Sequence, residues 1–314
     1  MIHSKRVSVV MSVYNGADAL PDTLRSVLDQ QDCDFEFIVV NDGSTDTSGQ
    51  LLDEWARRDA RLRVIHQANT GLTRALICGC ADACGEFIAR QDCGDVSLPG
   101  RLAQQVECLQ CDAAAVAVSC HTKFIGPNDE PLYQTEISAA RLNAGLNSCA
   151  EAVRGPSHHG SMMMRRTAYE ATGGYRAAFY FAQDLDLWTR LVEQGRFAVV
   201  PQVLYLARLV PQAISGTQTL EQTALAKLVM AATQARRSGL SEEAYLTAAS
   251  KIRPVKHGDL AQRVALGNYF IGSCLRKSNA RAAAHYFRQA IVCDPWLWRA
   301  RIRWIQMQLM GAWR

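Results

Sequence analysis

Over its first ninety residues the chain alternates unbroken apolar runs with amphipathic stretches. "VSVVMSVYN", residues 7 to 15, is a β-branched run closed by Asn15-Gly16, the pattern of a strand buried on both faces that empties into a loop. Leu20, Leu24, Val27 and Leu28 then recur at helical spacing, with Pro21 near the first turn. "FEFIVVNDGSTD" is a second apolar strand ending in an acidic turn, and a helix through Leu51, Leu52 and Trp55 follows it. "LRVIHQ" reads as a third strand, "TRALICGCADAC" as a third helix and "GEFIARQD" as a fourth strand. This order predicts an α/β domain built on a parallel sheet covered on both faces. Its ligand crevice should lie at the C-terminal strand ends, where the loops at Asn15, Asp42 and Asp92 fall.

Beyond residue 96 the pattern loosens. It predicts a helix over 99–110, a strand "AAVAVSC", a loop "GPNDEP", a strand through "GSMMMRR", a turn "ATGGYR", a helix "DLDLWTRLVEQG" and a last strand "FAVVPQVLYLAR". From 217 onward the chain is helical and alanine-rich, which suggests two regions, 1–216 and 217–314. "NARAAAHYFRQAIVCDPWLWRARIRW" resembles one helix pair of a tetratricopeptide repeat ending in a D-P turn.

Composition narrows the partners. A formal net charge of +4, with basic residues scattered through the first 200 positions, does not point to nucleic acid. Eleven cysteines, mostly within apolar segments and with no secretory leader ahead of them, fit a reducing cytoplasm. Cys78, Cys80 and Cys84 lack the spacing and histidine partners of common zinc sites and read as small residues of a buried helix. No stretch reaches the roughly 20 apolar residues of a membrane span. In the tail, Trp298, Ile302, Ile305 and Leu309 fall at helical spacing beside Arg299, Arg301, Arg303 and Arg314. That suits a helix lying on an anionic membrane surface, and equally a terminal helix packing its tryptophans inward.

Five stretches carry the chemistry: "VSVVMSVYNGA", "VVNDGSTDTS", "GEFIARQDCGDVSLPGRL", "HHGSMMMRRTAYEATGGYR" and "AQDLDLWTRL". Taken alone, "NDGSTD" is a tight Asx turn leading into a helix cap, and "QDLD" is a helix start whose acids meet the positive dipole end. Together and in this order, over residues 5 to 215, they resemble the family 2 inverting glycosyltransferases of bacterial polysaccharide biosynthesis, which have a GT-A fold.

The resemblance implies transfer of a sugar, with inversion, from a nucleotide-diphosphate donor such as a UDP-sugar. The acceptor would be a saccharide or lipid-linked, and the place the cytoplasm or the inner membrane face. It carries nucleotide contacts onto Ser12, Tyr14, Asp42 and Arg74, and the catalytic base onto Asp184, with Gln183 where a Glu usually precedes. Adjacent strand residues point to opposite faces, so at most one of His158 and His159 can face the site, and the resemblance places the acceptor-side histidine better at His159. Aligning "VSLPGRL" places Asp92 and Asp95 at the first and last acids of a D-x-D-D pattern, so Gly94 stands where the metal-ligating acid would be.

Val210, in "LARLVPQ", takes the place of a histidine often near the metal. Three readings stay open. Asp92 and Asp95 hold Mg²⁺ or Mn²⁺ with waters; a cation such as Arg208 neutralises the diphosphate; or the domain is a degenerate transferase that binds without turnover.

Overall fold

The computed structural model describes residues 6–148, 155–212, 219–254 and 260–311. Four parallel strands open it: β1 (Val7–Val13), β2 (Phe35–Asp42), β3 (Leu62–Gln67) and β4 (Phe87–Arg90). They are joined by α1 (Leu20–Leu28), α2 (Ser48–Arg58) and α3 (Leu72–Ala81). Every residue of β2 is buried, as a strand covered on both faces requires. The third helix stops at Ala81, short of the expected run; Cys80 is buried but Cys84 lies beyond the helix and is exposed.

The middle of the chain supplies β5 (Val96–Ser97), α4 (Arg101–Cys111), β6 (Ala115–Ile125), β7 (Pro131–Thr135) and α5 (Ala139–Ser148). Then come β8 (Met163–Arg165), α6 (Arg166–Ala171), α7 (Gln183–Leu191) and β9 (Arg196–Arg208). The sheet order is β3-β2-β1-β4-β8-β6-β9-β5, with β7 paired to β6. β8 runs antiparallel to both β4 and β6, and β5 antiparallel to β9, so the sheet is mainly parallel in its first half and mixed in its second. Hydrophobic periodicity carries no strand direction, which is why this reversal was invisible in the pattern. Met162, Met163 and Met164 are fully buried, and the core that Met162 and Met164 share with Val10, Ile38, Ile88, Leu187 and Phe197 fixes α7 on the sheet.

The helical remainder is α8 (Thr219–Arg237), α9 (Glu243–Lys251), α10 (Leu260–Leu275), α11 (Ala280–Cys293) and α12 (Trp298–Gly311). Two compact units result. One comprises Met1–Thr122, Thr135–Ala207 and Glu221–Arg253; the other comprises Lys123–Gln134, Arg208–Leu220 and Pro254–Arg314. Helices α8 and α9, which lie beyond residue 216, thus cluster with the sheet, and Leu225, Val229 and Ala249 bury themselves with Phe179. The second unit has its own core of Ile271, Leu275, Ala283, Phe287 and Met307. Its α11 is capped by Asn279, whose side chain accepts the Ala282 N–H, and ends before the Asp294-Pro295 turn. Arg314 lies outside the described residues.

Candidate active site

The C-terminal ends of the parallel strands bring the first group of residues together. Asn15 sits in the left-handed region at φ 52°, and its side-chain oxygen accepts the N–H groups of Thr45 (2.7 Å) and Asp46 (3.3 Å). Ser44 and Ser48 reciprocate by accepting the N–H groups of Asn15 and Gly16, both at 3.0 Å. The loops after β1 and β2 are therefore stapled to each other. Asp42 ends β2, buried, with its carboxylate accepting from Gln67 Nε2 (2.7 Å), Thr70 N (2.9 Å) and Gly71 N (2.8 Å). Ser12 is half-buried near the end of β1, Tyr14 is exposed beyond it, and Arg74 is exposed on the first turn of α3.

Four positions past the start of β4 the chain turns through the acidic stretch. Asp92 Oδ1 accepts from the guanidinium of Arg90 at 2.6 Å, and the Asp92 N–H donates to the Tyr205 hydroxyl at 3.1 Å. Arg90 is wholly buried on β4, opposite Val10 in the ladder with β1. Burial disfavours its charge, yet Asp92 together with Tyr175, Cys80 and Tyr205 outweighs that and its pKa lies above the ordinary value. Burial likewise pushes the Asp92 carboxyl up, but Arg90 together with His158, His159 and Arg101 more than offsets this and holds it below the usual range.

Arg101 of α4, also wholly buried, donates to Gln91 Oε1 (3.0 Å), Ser97 Oγ (2.7 Å), Arg90 O (2.6 Å) and Gly160 O (2.8 Å). It thereby ties the acidic turn to the segment that precedes β8.

That segment carries both histidines, and they part company. His158 Nδ1 lies 3.9 Å from Asp92 Oδ2 and 3.7 Å from Asp95 Oδ2, and its ring stacks on Tyr205. His159 turns away from the carboxylates. Its Nε2 hydrogen-bonds the Tyr175 hydroxyl at 2.7 Å, and its ring packs against Trp188. Burial first, then the Arg90 charge, lower its pKa to about 3, so it stays neutral. Burial also lowers that of His158. Gly160 follows because nothing larger fits: a Cβ there would lie 2.1 Å from the Tyr205 hydroxyl oxygen and 3.0 Å from Asp92 Oδ2.

Asp92, Asp95 and His158 form the one group among the described residues whose ligand atoms, all within 4.8 Å of one another, suit a metal ion. Two carboxylate oxygens and a neutral imidazole nitrogen are donors that Mn²⁺ or Mg²⁺ accepts. The fit is that of a weak site, because Arg90 already engages one Asp92 oxygen. Gly94 has φ 96°, and a Cβ placed there would meet only Ala19 at 3.7 Å, so the missing acid leaves open space. Val210 stands past the end of β9, in the second unit. Arg208 is committed elsewhere, pairing with Asp129 at 2.7 Å within that unit.

Asp184 begins α7, just after Ala182, which holds an unusual left-handed conformation at φ 58°. Its Oδ1 accepts the Leu185 N–H at 2.8 Å. Burial, reinforced by the Asp92 charge, raises its pKa, a shift that makes the carboxylate a better proton acceptor. Asp186, two residues on, has no such latitude: it is fully buried, and Arg176 and Arg190 bind both its oxygens.

The loops after β1, β2 and β4 and the two histidines sit inside a segment, residues 8–173, that matches the family model described as glycosyl transferase family 2, and Asp184 follows that segment. The chain belongs to that family. EpsE of Bacillus subtilis, named as a glycosyltransferase, is 31% identical over 209 residues, covering 65% of this chain and 73% of EpsE. An uncharacterized glycosyltransferase of Haemophilus influenzae is 26% identical over 230 residues, 71% of either chain.

Among solved structures, the family 2 chain resembles the mannosyltransferase PcManGT of Pyrobaculum calidifontis in complex with GDP-Man and Mn²⁺. The TM-score is 0.56 at 19% identity over 99% of this chain and 88% of that one. It also resembles Staphylococcus aureus TarS in complex with UDP, with a TM-score of 0.54 at 16% identity over 96% and 88%. The fold is that of the GT-A glycosyltransferases, and the activity of the family is glycosyl transfer.

Arg90, Arg101, His158 and Tyr205 build this site without having been singled out for it. In the sequence a lone arginine in the apolar run "FIAR" marks Arg90, Arg101 lies in the motif "VSLPGRL", His158 competes with its neighbour for one face, and nothing local marks Tyr205.

Proposed function

We propose that the protein transfers a sugar from a nucleoside diphosphate donor, a UDP-sugar, to a saccharide or lipid-linked acceptor with inversion at the anomeric carbon. The setting would be cell-surface polysaccharide assembly at the cytoplasmic face of the membrane. The observation that carries this reading is the contrast on α7: Asp186 is consumed by Arg176 and Arg190, while Asp184 accepts only from its own helix among the described residues and has a raised pKa.

Asp184 takes the proton of the acceptor hydroxyl. The freed oxygen pair attacks the anomeric carbon from the face opposite the diphosphate, the bond from that carbon to the phosphate oxygen breaks, and the nucleoside diphosphate departs. Asp42, Ser12, Tyr14 and Arg74 serve the nucleotide, with Asp42 acting also through the loop it holds. Asp92, Asp95 and His158 would hold Mg²⁺ or Mn²⁺, which when bound compensates the charge on the leaving diphosphate. His159 acts from behind, through Tyr175, rather than as a ligand. PcManGT binds GDP-Man with Mn²⁺ and TarS binds UDP, which supports a nucleotide-sugar donor and favours a transferase over a binding scaffold.

The deciding experiment incubates the protein with a panel of UDP- and GDP-sugars, with and without Mn²⁺, and assigns the anomeric configuration of the product by NMR. Transfer with retention, or turnover that survives Asp184→Asn, would overturn the proposal.

A further inference from the structure

We infer that the outer face of α12 docks onto an anionic phospholipid bilayer. The helix has two opposed sides. Ala300 and Met307 are buried, Met307 in the core with Ile271, Leu275 and Phe287. About half a turn away round the helix, Trp298, Ile302, Ile305 and Leu309 form a single stripe, at i, i+4, i+7 and i+11. All four are exposed, at 61%, 46%, 52% and 60% of their surface, and Trp296 just before the helix is 88% exposed. Large apolar side chains aligned in this way, on a helix already packed on its other side, mark a surface made for a partner.

Charge identifies the partner. Residues 260–311 hold eight Lys and Arg and a single acid, Asp294. Arg299 and Arg301 border the stripe, and a groove of about 660 Å³ between α11 and α12 is lined by Arg281, His285, Arg288 and Trp304 with no carboxylate among its lining residues. A second copy of this surface would bring two such basic faces together, which charge repulsion opposes. A bilayer rich in phosphate headgroups satisfies both halves of the pattern. Arginines meet the phosphates, Trp298 takes the interface, and Ile302, Ile305 and Leu309 enter the acyl boundary. Among the described residues no helix is long and apolar enough to cross a membrane, so this contact lies along the surface. Residues 254–314 carry ten Lys and Arg against two Asp, while the whole chain is only +4; the rest is net acidic, so the attraction is confined to this end.

The proposal is independent of the transfer reaction, and its test separates the two. The full-length protein is sedimented with vesicles of phosphatidylcholine alone and with vesicles of equimolar phosphatidylcholine and phosphatidylglycerol. Binding should be about tenfold stronger to the anionic vesicles and should weaken as salt is raised. Ile305→Glu should lower it about tenfold, and Arg299→Ala and Arg301→Ala about fivefold each, while circular dichroism and turnover on soluble acceptors stay unchanged. Equal binding to both vesicles, no binding to either, or full binding by Ile305→Glu would overturn it. A concentration-dependent dimer that Ile305→Glu dissociates, with no vesicle binding, would overturn it too and assign the stripe to a second copy.

Discussion

Asp184 and Asp186 stand two positions apart on one helix, and only Asp186 is held by arginine. Asp186 is locked between Arg176 and Arg190, and Arg176 continues the network to Glu242 on the edge of α9 at 2.9 Å. Asp184 accepts only backbone N–H groups at the start of its own helix among the described residues. The Arg176–Asp186–Arg190 network anchors the helix, and the neighbouring acid takes no part in it.

Asp184→Asn should lower turnover by about 10² to 10⁴ with donor affinity nearly unchanged, measured by steady-state kinetics beside calorimetry. The sign of its pKa shift gives a second readout. Because the folded-state pKa is raised, the folded protein holds the Asp184 proton more tightly than the unfolded chain, and stability falls as pH rises through that pKa. At neutral pH the variant should therefore melt at or above the temperature of the parent, with the difference vanishing in acid. A variant that melts well below its parent would mean the carboxylate is structural.

Asp186→Asn should behave in the opposite way. It leaves two buried or half-buried guanidinium groups short of a counter-charge, at a cost of about 3 to 5 kcal/mol. Chemical denaturation should show this loss directly, and near-parental stability would show that the network is dispensable.

Asp42→Ala should weaken UDP binding at least about tenfold, roughly 1.4 kcal/mol. The side chain accepts from Gln67, Thr70 and Gly71, so the same change should speed amide exchange at Thr70 and Gly71. Unaltered calorimetric affinity would remove Asp42 from the nucleotide site.

Nucleotide affinity should depend little on Mn²⁺ or Mg²⁺, because Asp92 is already neutralised by Arg90 and position 94 supplies no ligand. His158→Ala should abolish whatever ion binding titration detects. Gly94→Asp has room, but at φ 96° it should cost about 1 kcal/mol of stability while making binding more sensitive to chelator. Strong chelator sensitivity in the parent protein would show that Asp92, Asp95 and His158 already form a competent site.

Acid should attack the fold at Glu36. Burial disfavours its charge, but hydrogen bonds from Cys84, Ser8 and Arg63 prevail and lower its pKa from the model-compound value of 4.5 to about 2. A depressed acid contributes stability above its unfolded pKa and loses it as pH falls through the folded one. Part of the acid unfolding between about 4.5 and about 2 should therefore disappear in Glu36→Gln, which is less stable than its parent at neutral pH. Parallel pH profiles for the two proteins would exclude this role.

Strand-to-loop transitions at Asn15, Asp42 and Asp92 were legible because apolar runs that stop abruptly at polar residues have few meanings in an α/β chain. The second half of the sheet was not, since β8 is three residues long and its reversed direction follows from tertiary pairing. At the site, alternation along a strand gave a choice between His158 and His159 but not its answer. The segment is a short 3₁₀ turn, His159–Ser161, where strand alternation does not apply. Arg101 belongs to a recognised motif, yet its hydrogen bonds to Arg90, Gln91, Ser97 and Gly160 cannot be foreseen from neighbours in sequence.

The cross-links made by Asn15 and Asp42 have a thermodynamic consequence for ligand selection. Both hold loops in place with bonds internal to the protein, so the walls at the strand ends are preorganised and their ordering entropy is met during folding rather than on association. Donor recognition should then resemble docking to a rigid template, with a small heat-capacity change beyond that of the surface covered. Altered sugar preference would have to arise from side chains projecting from these loops, because the backbone that carries them has little freedom to adapt.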